Sequence, residues 1–144
     1  MTADAHDKRI AAILGENEDL DSGEAVKVFH DYLKSRLSLP CTVTGIEDFR
    51  WEEVYVFGPG DKREYDHLKK TQPSYTDQYE LLGIDCEAKS GWMLFWGEDI
   101  GADVRRISDG KKFLLGLSEL KATDKKSKNY QLLDDYSVWF VNNR

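Results

Sequence analysis

Glu98, Asp99 and Asp103 fall within six positions of one another in the stretch "GWMLFWGEDIGADVRRISDGKKFLLGL", residues 91–117. Carboxylates this close repel one another, and a bound cation relieves the repulsion. Gly97 and Gly101 bracket two of them and permit tight turns whose carbonyl oxygens can add ligands. Asp85 and Glu87 stand at the end of the preceding strand-like run and approach the same loop if the two strands pair. An all-oxygen set on a pliable loop suits calcium, which takes six to eight oxygens, better than magnesium, which prefers a rigid octahedron and retained water. Asp85, Glu87, Glu98, Asp99 and Asp103 are therefore the candidate metal ligands, and calcium is the only cofactor the residues suggest. The competing reading is a hydrated rim, in which the acids solubilise the end of a hairpin and discourage edge-to-edge pairing.

Other chemistry lacks its residues. The chain contains no GxGxxG, GxxxxGKS/T or GxSxG motif, and His6, His30 and His67 lie in three separate segments without HExxH spacing. Glu47/Asp48, Glu52/Glu53 and Asp134/Asp135 are sequence neighbours, which point in different directions on a strand or helix. "NEDLDSGEAVKV" brings Asp19 and Asp21 two apart, but Gly23 comes one place early for an EF-hand loop and no Glu closes it. Cys41 and Cys86 form no CxxC pair and read as small core thiols. A non-catalytic protein is expected.

Composition narrows the partners. Of the 144 residues, 40% are hydrophobic and 33% charged, as in ordinary globular proteins. The net charge of −7 disfavours nucleic acid, whose phosphates call for clustered Lys and Arg. No apolar run approaches the roughly 20 residues of a membrane helix, and the N-terminus lacks a signal-like apolar centre, so a cytoplasmic location without membrane contact is expected.

Several elements must hold the acids in place. Residues 1–20 are polar apart from Ile10, Ile13 and Leu14, and are expected to be a loosely ordered segment ahead of a single domain over 21–144. In "DSGEAVKVFHDYLKSRLSLP", Asp21 and Glu24 have capping-box spacing, Val26, Phe29, Leu33 and Leu37 make one apolar face, and Pro40 stops the helix. "CTVTGIEDF" and "WEEVYVFG" suggest strands, "DKREYDHLKKT" a short helix, "QYELLGIDCE" a strand and "WMLFWGE" a buried strand apolar on both faces. "VRRISDGKKFLLGL" reads as a hairpin turned at Asp109-Gly110, a type I′ dipeptide. "SKNYQLLDDYSVWFVNN" reads as a helix capped by Ser127 or Asn129. Helix, about five strands, helix, with no strand-helix-strand rhythm, predicts an α+β fold: a small, partly closed antiparallel β-barrel flanked by N-terminal and C-terminal helices.

Taken together, "FHDYLKSRLSLPC", "YELLGIDCEAKSGWMLFW", "KKFLLGLSELKA" and "NYQLLDDYSVWFVNN" resemble the small cyanobacterial calcium-binding family known as CcbP, spread with gaps over residues 29–143. The shared pattern is a helix ending in Tyr-Leu, an entry to the first strand, a strand end followed by acids, and a last helix that Asp135-Tyr136-Ser137-Val138-Trp139 partly echoes. The resemblance implies an SH3-like barrel, and calcium buffering or sensing if the acids converge. Here the family's acid-rich loop is reduced to Asp85 and Glu87 beside Ala88, Lys89 and Ser90, and residues 56–77 look like an insertion. SH3-like barrels also present aromatic grooves to peptides, which would make Tyr75 and Tyr79 in "PSYTDQYELL" the residues that meet a protein partner.

Overall fold

A computed structural model describes residues 2–15, 22–86, 89–95 and 98–143. Asp21, Glu87, Trp96 and Gly97 lie outside the described residues. The helices are α1 (Thr2–Leu14), α2 (Ser22–Arg36), α3 (Glu53–Val56), α4 (Lys62–Leu68) and α5 (Lys128–Asn143). The strands are β1 (Cys41–Gly45), β2 (Gln78–Asp85), β3 (Gly101–Arg106), β4 (Lys112–Gly116) and β5 (Leu120–Ala122). They form one antiparallel sheet in the order β4-β3-β2-β1-β5.

Alternation along the strands decides which side of the sheet is wet. Val43 stands opposite Tyr79 and Ala122, and Leu81 opposite Val104; all five are buried on the inner face. A bulge at Leu82 resets the register, so that Ile84 joins Ala102 and Leu115 on that face and Leu82 turns outward. Against the inner face pack Ala25, Val26, Phe29 and Leu33 of α2, with Leu132, Leu133, Tyr136, Trp139 and Phe140 of α5. The ring of Phe29 meets Tyr136 edge-on at 5.4 Å and Trp139 at 5.1 Å. Ser127 caps α5, its hydroxyl accepting the Tyr130 N–H at 3.1 Å.

The expected α+β class with terminal helices is present; barrel closure is not. β4 and β5 are the sheet's two edges, yet only a 3-10 turn, Leu117–Glu119, separates them in the chain. Four strand spacings laid flat would cover about 19 Å. A turn rising about 2 Å per residue covers less than half of that. The sheet must therefore curl until its edges approach, but those edges do not pair.

Four local expectations are corrected. Residues 51–56, read as a strand, form a 3-10 turn and α3, because Trp51 and Tyr55 meet edge-on at helical spacing with centroids 6.0 Å apart and Tyr65 of α4 stacks on Tyr55 to complete the cluster. The described part of "WMLFW" is a succession of turns: Met93 is fully buried but Leu94 is exposed, and the Glu98 and Asp99 N–H groups both return to the Phe95 carbonyl. The β3–β4 loop is not type I′. Only Gly110 has positive φ (74°), while Asp109 turns its carboxylate to Arg106 and to the Lys111 N–H. The N-terminal segment, expected to be loose, contains α1, which lies on α2 and α5. Arg9 makes a two-pronged bond to the buried Asp135 at 2.7 and 2.9 Å, and the His6 ring contacts Asp134 at 2.7 Å.

Two buried ionisable side chains organise the 46–77 region: Glu52 ties it together from within, and Arg106 fastens it to the sheet. Glu52, with no exposed surface, accepts from the N–H groups of Phe49 and Tyr75, the Tyr65 hydroxyl and the Ser74 hydroxyl. Arg106 on β3 donates to the carbonyls of Lys69, Lys70 and Gln72 and pairs with Asp77 and Asp109. No helix among the described residues is long and apolar enough to cross a membrane.

Candidate functional site

Asp99 enters the interior just ahead of β3, one residue after the turn at Glu98. Its side chain is 1% exposed. Three donors hold it: the Ser118 hydroxyl at 2.6 Å, the Ser118 N–H at 3.2 Å and the Tyr136 hydroxyl at 2.7 Å. Glu119, one residue beyond Ser118 on the same 3-10 turn, accepts the Leu94 N–H at 3.2 Å. The two carboxylates meet over Gly116. An oxygen of each lies within 2.6 Å of the point that a Cβ on Gly116 would occupy, so they are at most about 5 Å apart. A glycine is what leaves room for the pair.

The electrostatics follow from that crowding. Burial pushes the Glu119 carboxyl up to about 7; the Leu94 N–H pulls it down in part, and the charge on Asp99 raises it further. Burial likewise lifts Asp99 to about 6, although the bonds from Ser118 and Tyr136 favour its charged form. Tyr136 is pushed above the ordinary phenol range by burial and by Asp99 beneath it. With three donors to one, Asp99 keeps its charge longer, and Glu119 is the first to take a proton near neutral pH. Above that, two negative charges share a poorly solvated space.

Glu119 opens onto a cleft of about 260 Å³ between the 46–48 bend, the 94–95 turn and the C-terminal half of α5. Glu47 and Asp48 stand on one wall, and Ser118 and Ser137 supply hydroxyl oxygens. The Ile46 N–H donates to the Glu119 carbonyl at 2.9 Å, which pins the bend to the floor of the cleft. Among the described residues neither Lys nor Arg lines it, and every polar side chain that does is a carboxylate or a hydroxyl. Oxygen donors with excess negative charge suit a hard cation.

The residues expected from the sequence are distributed differently. Asp85 and Asp103 are exposed on the outer face of β2 and β3: Asp103 pairs with Gly83 and Asp85 with Gly101, which makes the two acids diagonal neighbours. Glu98 is exposed on its turn, Asp99 points inward, and Glu87 lies outside the described residues. Among the described residues, no three His, Cys, Asp or Glu side chains are grouped closely enough to hold a metal ion as they stand. The two tyrosines expected to meet a partner differ in exposure. Tyr79 is fully buried and its hydroxyl donates to the Ser74 carbonyl, while Tyr75 is half-buried with its backbone packed on Gly45. Glu119 was the residue missed. Its signal is an acid placed two residues after a lone Leu in the apolar run "FLLGLSEL".

Comparison with known proteins places the fold. No protein-family model matches the chain, and no curated protein matches it in sequence. Two solved structures do share its architecture. One is described as a calcium-binding protein in its calcium-binding form, with a TM-score of 0.60 and 17% identity over 96% of this chain and 91% of that one. The other is CcbP from Anabaena, with a TM-score of 0.56 and 17% identity over 94% of this chain and 89% of that one. The chain thus shares the fold of these two structures.

Proposed function

We propose that the protein binds calcium at the cleft floored by Glu119, and acts by binding rather than by catalysis. The observation that carries this reading is the pair Asp99 and Glu119, two carboxylates at most about 5 Å apart in a desolvated niche, with no basic side chain among the described residues that line the adjoining cleft. Likeness over nearly the whole chain to a protein in a calcium-binding form supports the choice of ion. Glu119 supplies the charged ligand at the base, Glu47 and Asp48 swing in from the wall, and water completes the shell that calcium requires. Asp99 adds its field from behind without leaving Ser118 and Tyr136. Buffer and sensor differ in whether the Glu47 and Asp48 side chains, turning on the pinned 46–48 bend, change the face that a partner meets.

Calorimetry at pH 8 tests this. Titrating calcium into the protein should give saturable heat and raise the melting temperature, since a ligand of the folded state alone stabilises it. Glu119→Gln should abolish both effects, while an Asp85→Asn, Asp103→Asn double variant should leave them in place. Saturable binding that survives Glu119→Gln and vanishes in the double variant would move the ion to the outer face of the sheet. No heat and no thermal shift at millimolar calcium would end the calcium reading.

A further inference from the structure

The mouth of the cleft carries a second kind of information. Ile46, Leu94 and Val141 are 38%, 40% and 51% exposed, and each comes from a different segment: the bend after β1, the turn before β3, and α5. Folding has gathered three separately encoded apolar side chains around one acidic floor. The arrangement is fixed, because the backbone N–H of Leu94 is itself the donor to Glu119, and the Ile46 N–H is bonded to the Glu119 carbonyl. Rim and floor therefore move together. At about 260 Å³ the space falls below the roughly 300–1,000 Å³ of small-molecule sites, but it can admit a single long side chain.

We propose that this cleft docks a partner protein through one lysine or arginine set within an apolar segment. Such a side chain has the same two-part character as the cleft: an aliphatic stem that lies along Ile46, Leu94 and Val141, and a cationic head that reaches Glu119 with Glu47 and Asp48 beside it. Charge complementarity selects this occupant. Among the described residues the cleft lining bears three carboxylates and no cation, and the whole chain carries a net charge of −7. The inference rests on the cation reading of the cleft, since the same carboxylates attract both occupants, and calcium and the basic side chain should compete.

The test uses a fluorescein-labelled short peptide with one lysine between leucines, and a twin with norleucine in place of lysine, followed by fluorescence polarisation at low salt. The lysine peptide should bind saturably, its twin about tenfold more weakly, and millimolar calcium should displace it. A Leu94→Ser, Val141→Ser variant, altered only at exposed positions, should weaken the peptide about tenfold while leaving the calcium heat unchanged. Equal binding of both peptides, or an undiminished affinity in the rim variant, would overturn the proposal, as would calcium heat with no peptide binding. Peptide binding without calcium heat would sink the calcium reading and leave this one standing. Failure of both would remove both.

Discussion

Replacing Glu119 by Gln should make the protein more stable at alkaline pH and leave it nearly unchanged in acid. The folded structure raises the Glu119 carboxyl from its ordinary 4.5 to about 7. A carboxyl raised by folding contributes fully to stability below its unfolded pKa, and that contribution is lost as pH climbs through the folded value. Each unit is worth about 1.4 kcal/mol, so the shift caps the loss near ~3 kcal/mol. Glu119 retains some solvent, which screens its charge, so ~2 kcal/mol is the working figure at pH 8.5. Gln keeps the shape, its carbonyl oxygen in the place of Oε2 still accepts the Leu94 N–H, and the second negative charge beside Asp99 is gone. Thermal melts of both proteins at pH 5 and pH 8.5 are the assay. A gain of ~2 kcal/mol should raise the melting temperature by about 5 °C at pH 8.5, with little difference at pH 5. Saturating calcium should raise wild type toward the variant at pH 8.5. A variant equally destabilised at both pH values would refute the reasoning, because Glu119 would then be an ordinary structural ligand of the fold rather than a frustrated charge.

Two further outcomes concern the buried charges outside the cleft. Arg106→Met should cost about 3–5 kcal/mol in denaturant unfolding, since it strands Asp77 and Asp109 and frees three carbonyls of the 69–72 turn; limited proteolysis should then cut within residues 61–77 before the rest unfolds. Glu52→Ala should cost at least ~3 kcal/mol, because four buried or half-buried donors lose one acceptor, whereas Glu52→Gln should cost less by keeping an acceptor oxygen for some of them.

Much of the scaffold was legible from residue order because it depends on local spacing. Val26, Phe29 and Leu33 recur at helical steps, and α2 buries all three. The β3–β4 hairpin formed where Asp109-Gly110 interrupts two strand-like runs, although the turn is wider than the dipeptide implied because Arg106 claims the Asp109 carboxylate. Val54, Val56 and Phe57 misled for the same reason. Alternation signals a strand only when a neighbour is available to pair, and here all three remain exposed while Trp51 and Tyr55 bury their rings together.

The site belongs to the other class. The sequence by itself determined helices α2 and α5, strands β1 to β4 and the excess of carboxylates, since each follows from composition or from residues a few positions apart. Which carboxylates matter was decided by tertiary structure. Asp99 is held by Ser118, 19 positions away, and by Tyr136, 37 positions away. α1 is anchored through Arg9 to Asp135, 126 positions along the chain. A carboxylate's affinity for protons or cations depends on its solvent and its neighbours, and those are assigned only when the sheet curls, its edges approach, and Glu119 closes over Asp99.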